Sequence, residues 1–391
     1  MNRWLVCLVG ITACASTEAL LSEKPSDEPS VVPDSGDAGA DGASSDAAGP
    51  CTDCMHFPDE CTADALCPGG PFEPGTGGGS IDPLKQIMVI RGRSASDVWA
   101  AGALGALAHY DGTSWRRLEP GNGETLRTLW LRDSEEVSLA SLTRIYARGL
   151  DVDGGAAPSS DGWTFHQSTF PPNAYENGVR LRSGWAAAGA TSFWCAAHDG
   201  YQDNGLWRLR LSPSSKFELG VGIPSDACVT LRCGQMTSIH GASANDLWAV
   251  GMAGAAVRIT DAESDTPSAR AFDTQTWNAL NAVWTASESE AWAVGAEGTI
   301  RHYTGAPDAW EVVSDVPTKE ALTAVWGSSP SDVWAVGNAS VVLHYDGTRW
   351  SRVKVAGLRG NRPNLTTVWV PSPGHVWVGG EGVLLSLGGK P

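Results

Sequence analysis

Short segments in which apolar and polar residues alternate recur at a regular interval through most of this chain. One copy contains Leu-Thr-Ala-Val-Trp326, Asp332-Val-Trp334-Ala-Val-Gly337, His344-Tyr345-Asp346-Gly347 and Trp350. The central position of the repeat falls at Trp99, Ser138, Trp194, Trp248, Trp292, Trp334 and Trp377. The last three steps between these positions are 44, 42 and 43 residues, whereas steps of 56 and 54 residues indicate insertions around the second and third copies. Alternation with a period of two residues predicts β-strands.

Each copy contains four such segments, which is typical of one four-stranded blade of a β-propeller. Strand a is the Leu-Thr-Ala-Val-Trp segment, and strand b is the Asp-Val-Trp-Ala-Val-Gly segment. Strand c ends at His-Tyr, and strand d begins at the last Trp. The 46 Gly and 23 Pro argue against a helical solenoid of similar period. We therefore predict an all-β fold, a seven-bladed β-propeller of antiparallel blades over residues 81–391.

The seventh copy ends at Leu387 without a clear fourth strand. A closed ring leaves no long free edge, so a segment from elsewhere in the chain is expected to complete this blade. We predict that residues 72–84, which precede the first copy, supply that strand. A three-stranded last blade is the alternative.

The repeats resemble the broad class of bacterial extracellular propellers related to Asp-box, kelch and WD-repeat proteins, over about residues 85–387. The Asp-box uses a longer spacing than the four residues that separate Asp111 from Trp115 and Asp346 from Trp350. The chain departs from that motif, so the resemblance does not imply sialidase chemistry. The chain also resembles surface lipoproteins of soil predatory and social bacteria, a grouping that implies no activity.

Tryptophan is unusually frequent, with 18 Trp against 7 Phe and 6 Tyr. Exposed indoles could form a platform for sugars, but recurrence at one register inside apolar strands favours burial. We therefore predict core positions for Trp248, Trp292, Trp334 and Trp377. Recurrence also favours structural roles over calcium binding or catalysis for two further sets of residues. Asp97, Asp246 and Asp332 are predicted to be turn residues whose side chains accept backbone N–H groups. The histidines that recur beside a Tyr, His109, His302 and His344, are predicted to be structural as well. Strands a carry Thr, Ala, Leu and Asn, which predicts an inert channel.

The first residues have the pattern of a secretory signal, because Arg3 is followed by an apolar stretch of roughly ten residues that ends before Cys14. Ile11-Thr12-Ala13-Cys14 resembles the lipobox of bacterial lipoproteins. The resemblance implies a signal peptide over residues 1–13 and an acylated Cys14 as the first residue of the mature chain. Ala15, rather than Asp, follows, which under lipoprotein sorting rules implies the outer membrane or cell surface. A signal peptide cut elsewhere is the alternative, and both interpretations predict export.

Residues 15–80 contain 13 acidic side chains and one basic side chain, so this stretch carries −12 of the total charge of −17. Between residues 16 and 50 the composition is mainly Ser, Ala, Asp, Gly and Pro, which predicts a disordered acidic linker over residues 14–50. The negative charge argues against a nucleic-acid partner. No apolar run approaches the roughly 20 residues of a membrane-spanning helix.

The chain has nine cysteines, of which Cys7 lies in the signal and seven follow Cys14. Four of them lie in a Gly- and Pro-rich segment, residues 51–80, and are Cys51, Cys54, Cys61 and Cys67. Export favours two disulfides here, with the connectivity left open. A four-Cys zinc site is the alternative, because the Cys51–Cys54 spacing suits a metal-binding turn. Cys228 and Cys233 are predicted to be bonded to each other, and Cys195 is predicted to be a buried, inert thiol.

Ligand-binding residues are expected where the repeat is broken, because packing explains the residues that recur. The segment between strands b and c of the third blade contains our candidates, His198, Asp199, Tyr201, Asp203 and Asn204. The loop of Cys228 and Cys233 joins that blade to the next and is expected on the same face of the ring. Residues 151–161 and 261–274 fall between strands c and d, which predicts the opposite face. Solvated decoration is favoured there over calcium binding by Asp151, Asp153, Asp261 and Asp265, because their spacing is not that of a calcium loop.

The sequence contains no nucleophile elbow, His/Glu metal motif or phosphate-binding glycine loop, so no catalytic residue and no cofactor is assigned. We predict a monomeric lipoprotein, bound to the cell envelope through its lipid alone, whose propeller is a binding or scaffold module for an envelope protein or a polysaccharide. Two alternatives remain open. One is a glycan-active hydrolase or lyase, and the other is a metal- or redox-linked assembly factor built around the four-Cys segment.

Overall fold

The computed structural model describes residues 53–72, 80–121, 123–150, 155–172, 178–198, 200, 204–212 and 216–389. These residues form seven sheets, and each of the first six sheets contains four antiparallel strands that are consecutive in the chain. The seven-bladed β-propeller predicted from the repeats is confirmed. The predicted signal peptide, Cys14 and the acidic linker lie outside the described residues.

One strand, β1 (Ala65–Pro68), precedes the repeats. Blade 1 consists of β2 (Ile87–Ser94), β3 (Asp97–Gly102), β4 (Leu107–Tyr110) and β5 (Trp115–Arg117). Blade 2 consists of β6 (Thr128–Leu131), β7 (Glu136–Leu139), β8 (Arg144–Arg148) and β9 (Thr164–Gln167). Blade 3 consists of β10 (Arg180–Trp185), β11 (Ser192–His198), β12 (Leu206–Leu211) and β13 (Phe217–Val221). A short helix, α1 (Ser225–Leu231), leads to blade 4.

Blade 4 consists of β14 (Met236–Ser243), β15 (Asp246–Gly251), β16 (Ala256–Thr260) and β17 (Ser268–Ala271). Blade 5 consists of β18 (Leu280–Ser287), β19 (Glu290–Gly295), β20 (Ile300–Tyr303) and β21 (Glu311–Val312). Blade 6 consists of β22 (Leu322–Ser329), β23 (Asp332–Gly337), β24 (Val342–Tyr345) and β25 (Trp350–Arg352). Blade 7 contains β26 (Lys354–Val355), β27 (Leu365–Ser372), β28 (His375–Gly380) and β29 (Val383–Leu387), together with β1.

A single 3-10 turn connects strands b and c in each of four blades, and one more lies near the start of the described residues. They span Cys54–His56, Ala103–Gly105, Met252–Gly254, Ala296–Gly298 and Asn338–Ser340. The first strand of each blade, strand a, contacts strand a of the next blade, and β27 contacts β2, so the ring is closed. No helix in the described part of the chain is long and apolar enough to span a membrane.

The glycine at the end of strand b is required by a close backbone approach. A Cβ on Gly251 would lie 2.2 Å from the carbonyl oxygen of Gln235, just before strand a, and a Cβ on Gly337 would lie 2.2 Å from that of Ala321. Real carbon and oxygen atoms do not approach this closely, so no side chain is tolerated there. The recurring Ala-Val-Gly sequence therefore reflects how tightly strand b lies against the start of strand a.

The indole of strand b packs between its own blade and the next one. Trp248 of blade 4 contacts Tyr303 and Trp310 of blade 5, with ring centroids 4.8 Å apart in both pairs. The same arrangement joins blade 5 to blade 6 and blade 7 to blade 1, through the sets Trp292, Tyr345 and Trp350, and Trp377, Tyr110 and Trp115. The predicted core positions of Trp248, Trp292, Trp334 and Trp377 are confirmed, since all four are buried.

The acidic residue that opens strand b binds side chains rather than the turn backbone. Asp332 accepts hydrogen bonds from Trp334 Nε1 at 2.9 Å and His344 Nε2 at 2.7 Å, and the two rings are stacked. Burial alone would raise the pKa of Asp332, but hydrogen bonds from Ser328, His344 and Trp334 outweigh it and lower that pKa. Matching contacts are made by Asp97 with Trp99 and His109, and by Asp246 with Arg258. The predicted role of these aspartates as acceptors of backbone N–H groups was wrong.

The ring is closed by a strand from before the repeats, but not by the predicted segment. β1 pairs antiparallel with β29, with Leu66 opposite Leu387, and pairs parallel with β26 on its other side. The prediction of residues 72–84 was wrong because that stretch is rich in Gly and Pro, whereas Ala65, Leu66 and Cys67 are buried apolar residues whose backbone can pair with the neighbouring strands. The last blade thus has five strands rather than three or four.

Two of the expected disulfides lie wholly within the described chain, Cys61–Cys67 and Cys228–Cys233. Cys54 is also disulfide-bonded, and its partner lies outside the described residues, as does Cys51. The described cysteines of this segment, Cys54, Cys61 and Cys67, are therefore oxidised and have no thiolate that could bind the zinc ion of the alternative prediction. Cys195 is a buried free thiol, and burial raises its pKa, so it is poorly ionised at neutral pH.

The fourth repeat differs from its predicted boundaries. The rule that strand d begins at the last Trp of a copy would place it at Trp277, but the strand is β17, which ends at Ala271, and the Trp277 side chain is 77% exposed. The insert predicted over residues 261–274 therefore contains strand d. Phe272, directly after β17, packs on Trp248 of its own blade with ring centroids 4.7 Å apart.

We expect Trp292→Ala to lower the free energy of unfolding by about 3–5 kcal/mol, because it leaves a cavity between blades 5 and 6. The exposed Trp277 provides a control, and Trp277→Ala should change stability by less than about 0.5 kcal/mol. Denaturant unfolding of the two variants measures both values. Unfolding of Trp292→Ala at the parent's midpoint would contradict the role assigned to the indole between the blades.

Candidate functional site

The channel is lined by the second and fifth positions of strand a from each blade. In four blades the second side chain binds a backbone carbonyl of the next blade, through Thr237, Asn281, Thr323 and Thr366. Thr323 Oγ1, for example, donates to the oxygen of Leu365 at 2.6 Å, and Asn281 Nδ2 donates to that of Leu322 at 2.8 Å. These polar side chains are therefore used in joining neighbouring blades.

Blades 2 and 3 break this pattern with arginines. Arg127, directly before β6, and Arg182 in β10 stand at the second position and line a channel cavity of about 110 Å³. The cavity extends along the channel to Arg91 and His240. The expectation of an inert channel was wrong, because the repeat could not be aligned residue by residue in the divergent copies that carry these side chains.

A cationic group surrounds this end of the channel. Arg180 lies directly opposite His198 in the pairing of β10 with β11. Partial burial, followed by the charges of Arg182 and Arg180, holds the pKa of Arg127 below its usual value, and the same three causes lower the pKa of His198. We call Arg127, Arg180, Arg182 and His198 the arginine mouth. None of its three guanidinium groups forms an ion pair with a carboxylate of the described residues.

Two of the five candidate loop residues are described, His198 and Asn204, while Asp199, Tyr201 and Asp203 lie outside the described residues. Nε2 of His198 is buried and has no hydrogen-bond partner in the described structure. Asn204 is buried, and its Oδ1 accepts a hydrogen bond from Leu206 N at 3.1 Å, so it holds the start of β12. The disulfide loop contacts the same segment, because Gly205 N donates to Cys233 O at 2.9 Å.

The fifth positions of strand a carry aromatic side chains. They are Trp130, Trp185, Trp284, Trp326 and Trp369, with Arg91 in blade 1 and His240 in blade 4. The Arg91 guanidinium lies 4.2 Å from the ring centroid of Trp326, and His240 packs against Trp185 and Trp326. Burial and then the charge of Arg91 lower the pKa of His240 to about 3, so its imidazole is neutral. This aromatic layer closes the channel away from the arginine mouth.

The acidic residues proposed for calcium do not converge where they are described. Asp265 forms an ion pair with Arg210 at 2.9 Å, and Asp261 lies in a turn, while Asp151 and Asp153 are outside the described residues. Within the described ranges no group of three or more His, Cys, Asp or Glu side chains could hold a metal ion.

Comparison with protein-family models and with curated proteins finds no match. Solved structures match as folds. YCF48 bound to D1 peptide is 15% identical with a TM-score of 0.54, covering 78% of this chain and 91% of its own. The WD40 propeller domain of Doa1 is 11% identical with a TM-score of 0.53, covering 77% and 92%. The extracellular domain of the putative hybrid two component system BT3049 from B. thetaiotaomicron is 15% identical with a TM-score of 0.56, covering 79% and 39%. These similarities show a β-propeller fold.

We expect Arg182→Gln to raise the pKa of His198 towards its ordinary value, because it removes one of two neighbouring positive charges that lower it. An NMR titration of the imidazole signals measures the change, with Arg116→Gln on the outer strand β5 as the matched control. Equal His198 titration in Arg182→Gln and in the parent would show that the two side chains are not close. Because the folded-state pKa is lowered, protonation of His198 should destabilise the fold as the pH falls.

Proposed function

We propose that this protein is an exported binding module of the cell envelope, whose arginine mouth binds an anionic segment of a protein partner. The observation that carries the proposal is a set of cations that have no carboxylate partner among the described residues, at the two blades where the repeat departs from its pattern. Guanidinium groups bind carboxylates through paired, charge-assisted hydrogen bonds. No Asp or Glu lines the cavity in the described chain, which favours binding over acid–base catalysis.

The size of the cavity supports a macromolecular partner. A volume of about 110 Å³ admits one side chain or a chain terminus and is smaller than a typical pocket for an independent small ligand. The recognised anion is therefore presented by a larger molecule that rests on the surrounding loops. A propeller of similar fold, YCF48, has been solved bound to a D1 peptide, which supports a peptide segment as the ligand class here.

Export and anchoring are part of the same proposal. The Cys61–Cys67 and Cys228–Cys233 pairs are disulfides, and Cys54 is disulfide-bonded as well. Disulfides persist in oxidising compartments outside the cytosol. The Ile11-Thr12-Ala13-Cys14 sequence provides an acylation site at the end of an apolar stretch. Several acyl chains on one residue give stable membrane attachment, which a single chain does not.

The partner proposal is tested by comparing what the full chain and Arg127→Gln/Arg182→Gln retain from an envelope extract. A specific protein retained in stoichiometric amount by the parent should fall at least about tenfold with the double variant, because two charge-assisted contacts are lost. Raising the salt concentration should release it, since the contact is electrostatic. Quantitative mass spectrometry of the retained material gives the ratio.

The control is Arg116→Gln/Arg349→Gln, which makes the same change of charge in the outer strand of blade 1 and directly before the outer strand of blade 6. This variant should retain the partner as the parent does. Equal retention by the two double variants, or retention of polysaccharide alone, would exclude the arginine mouth as a site for a protein.

Anchoring is tested by Cys14→Ser in the producing cell. The parent is expected in the membrane fraction with an acylated N-terminal cysteine, and the variant is expected in the soluble fraction because no residue remains to carry the lipid. Cell fractionation and mass spectrometry of the N-terminal peptide measure both properties. Ser16→Ala, two residues away, is the matched control, and membrane retention of Cys14→Ser would disprove lipid anchoring.

A further inference from the structure

A second cavity opens at the opposite end of the channel from the arginine mouth. Its volume is about 550 Å³, and it lies at the ends of strands a in blades 1 to 3. Its walls include the indoles and guanidinium groups of Arg91, Trp130, Arg132, Trp185, Trp326 and Trp369. We call this set the tryptophan mouth.

Glycines in the neighbouring blade leave room for two of these indoles, Trp369 and Trp185. A Cβ on Gly92 would lie 2.4 Å from Trp369 Cη2, and a Cβ on Gly241 would lie 2.6 Å from Trp185 Cζ3. The absence of a side chain at these positions lets the edge of each ring approach the next blade. Trp185 is half-buried, lines the cavity and packs against His240 with ring centroids 4.9 Å apart.

The divergent blades also supply the rim of this cavity. In blades 1 and 4 to 7 the turn between strands a and b begins with serine, as in Ser94, Ser329 and Ser372. Blade 2 instead has Arg132 and Asp133 in this turn. The corresponding turn of blade 3 contains small residues, Ala186, Ala188 and Gly189, which leave space beside Trp185. The cavity is therefore produced by the same departures from the repeat that produce the arginine mouth.

The cavity has unused positive charge. Arg91 donates to the oxygen of Ile90 at 2.7 Å and forms no ion pair with any described residue. Nη1 of Arg132 is buried and has no partner in the described structure, although Nε of the same residue lies 3.3 Å from Glu135. Arg93 is ion-paired with Asp97 and Glu136, and Arg132 with Glu135, so Arg91 is the lining cation that has no ion pair within the described chain.

We propose that the tryptophan mouth binds an acidic saccharide, with a uronate-type carboxylate on Arg91 and Arg132 and a sugar ring stacked on Trp185. The C–H face of a pyranose carries partial positive charge and fits the negative face of an indole. Arg91, which forms no ion pair with a described residue, and the unpartnered Nη1 of Arg132 can donate to the acid group. A concave site of about 550 Å³ suits a saccharide unit or two, whereas protein partners are usually bound on larger and flatter surfaces.

This site is separate from the arginine mouth and does not depend on the proposed protein partner. The test uses the purified full chain with trigalacturonate and with the neutral maltotriose as probes, followed by calorimetry and by quenching of Trp fluorescence. Trigalacturonate is expected to bind at least about tenfold more tightly than maltotriose, since one charge-assisted contact accounts for such a factor. Absence of trigalacturonate binding would overturn the proposal.

Three variants assign the binding to this cavity. Trp185→Ala should weaken trigalacturonate binding about tenfold through loss of stacking. Arg91→Gln and Arg132→Gln should each remove most of the preference over maltotriose, and Arg132 lies at the rim, so its replacement leaves the core intact. Trp277→Ala and Arg182→Gln, which alter the other end of the ring, should bind as the parent does.

Two results would contradict the assignment. One is unchanged trigalacturonate binding by Arg132→Gln and Trp185→Ala, each shown to be folded by circular dichroism. The other is loss of binding in Arg182→Gln, which would place the saccharide at the arginine mouth instead. Equal affinity for the two trisaccharides would remove the role of the cations and overturn the acidic class of ligand.

Discussion

The structure depends above all on the burial of the strand-b indole between consecutive blades, which every blade supplies except blade 2, where Ser138 holds that position. Where this contact is complete, the strand-b Trp of one blade lies against the strand-c Tyr and strand-d Trp of the next, as Trp292 does against Tyr345 and Trp350. Large aromatic rings bury much apolar area with few rotatable bonds, so the six buried strand-b indoles fix the distance between blades. The contact of Trp377 with Tyr110 and Trp115 shows that ring closure uses the same interaction.

With the blade spacing fixed by strands b to d, the side chains of strand a can vary without loss of the ring. Their second and fifth positions face the channel, and chemistry at the two mouths is set there. At the second position a threonine joins two blades, whereas Arg127 and Arg182 present charge to the channel. At the fifth position indoles predominate, and Arg91 and His240 are the exceptions. The two proposed binding surfaces are thus variations at the strand-a positions that face the channel.

The repeat made blades, strand order and core tryptophans predictable, because each depends on a pattern seen several times. The aspartates of strand b were misinterpreted since their partners, such as His344 for Asp332, are twelve residues away and meet them only across two paired strands. The closing strand β1 has no copy in the repeat and so gave no periodic signal. Arg127 and Arg182 were missed because the divergent copies have no regular spacing from which to assign a channel position.

Arg127 and Arg182 stand at the strand-a position whose side chain bonds to the next blade in four other blades. Polar contacts farther from the channel join the divergent blades instead. Between blades 1 and 2, where Met88 holds the second position, Arg93 donates to the oxygen of Arg132 at 2.8 Å and to Glu136 at 2.8 Å. Between blades 3 and 4, Glu263 accepts hydrogen bonds from the backbone of Thr191 and Ser192. Local rules of a repeat are usually broken at functional sites and offset nearby. Polar contacts of this kind between the divergent blades therefore support the view that their channel residues serve binding rather than assembly.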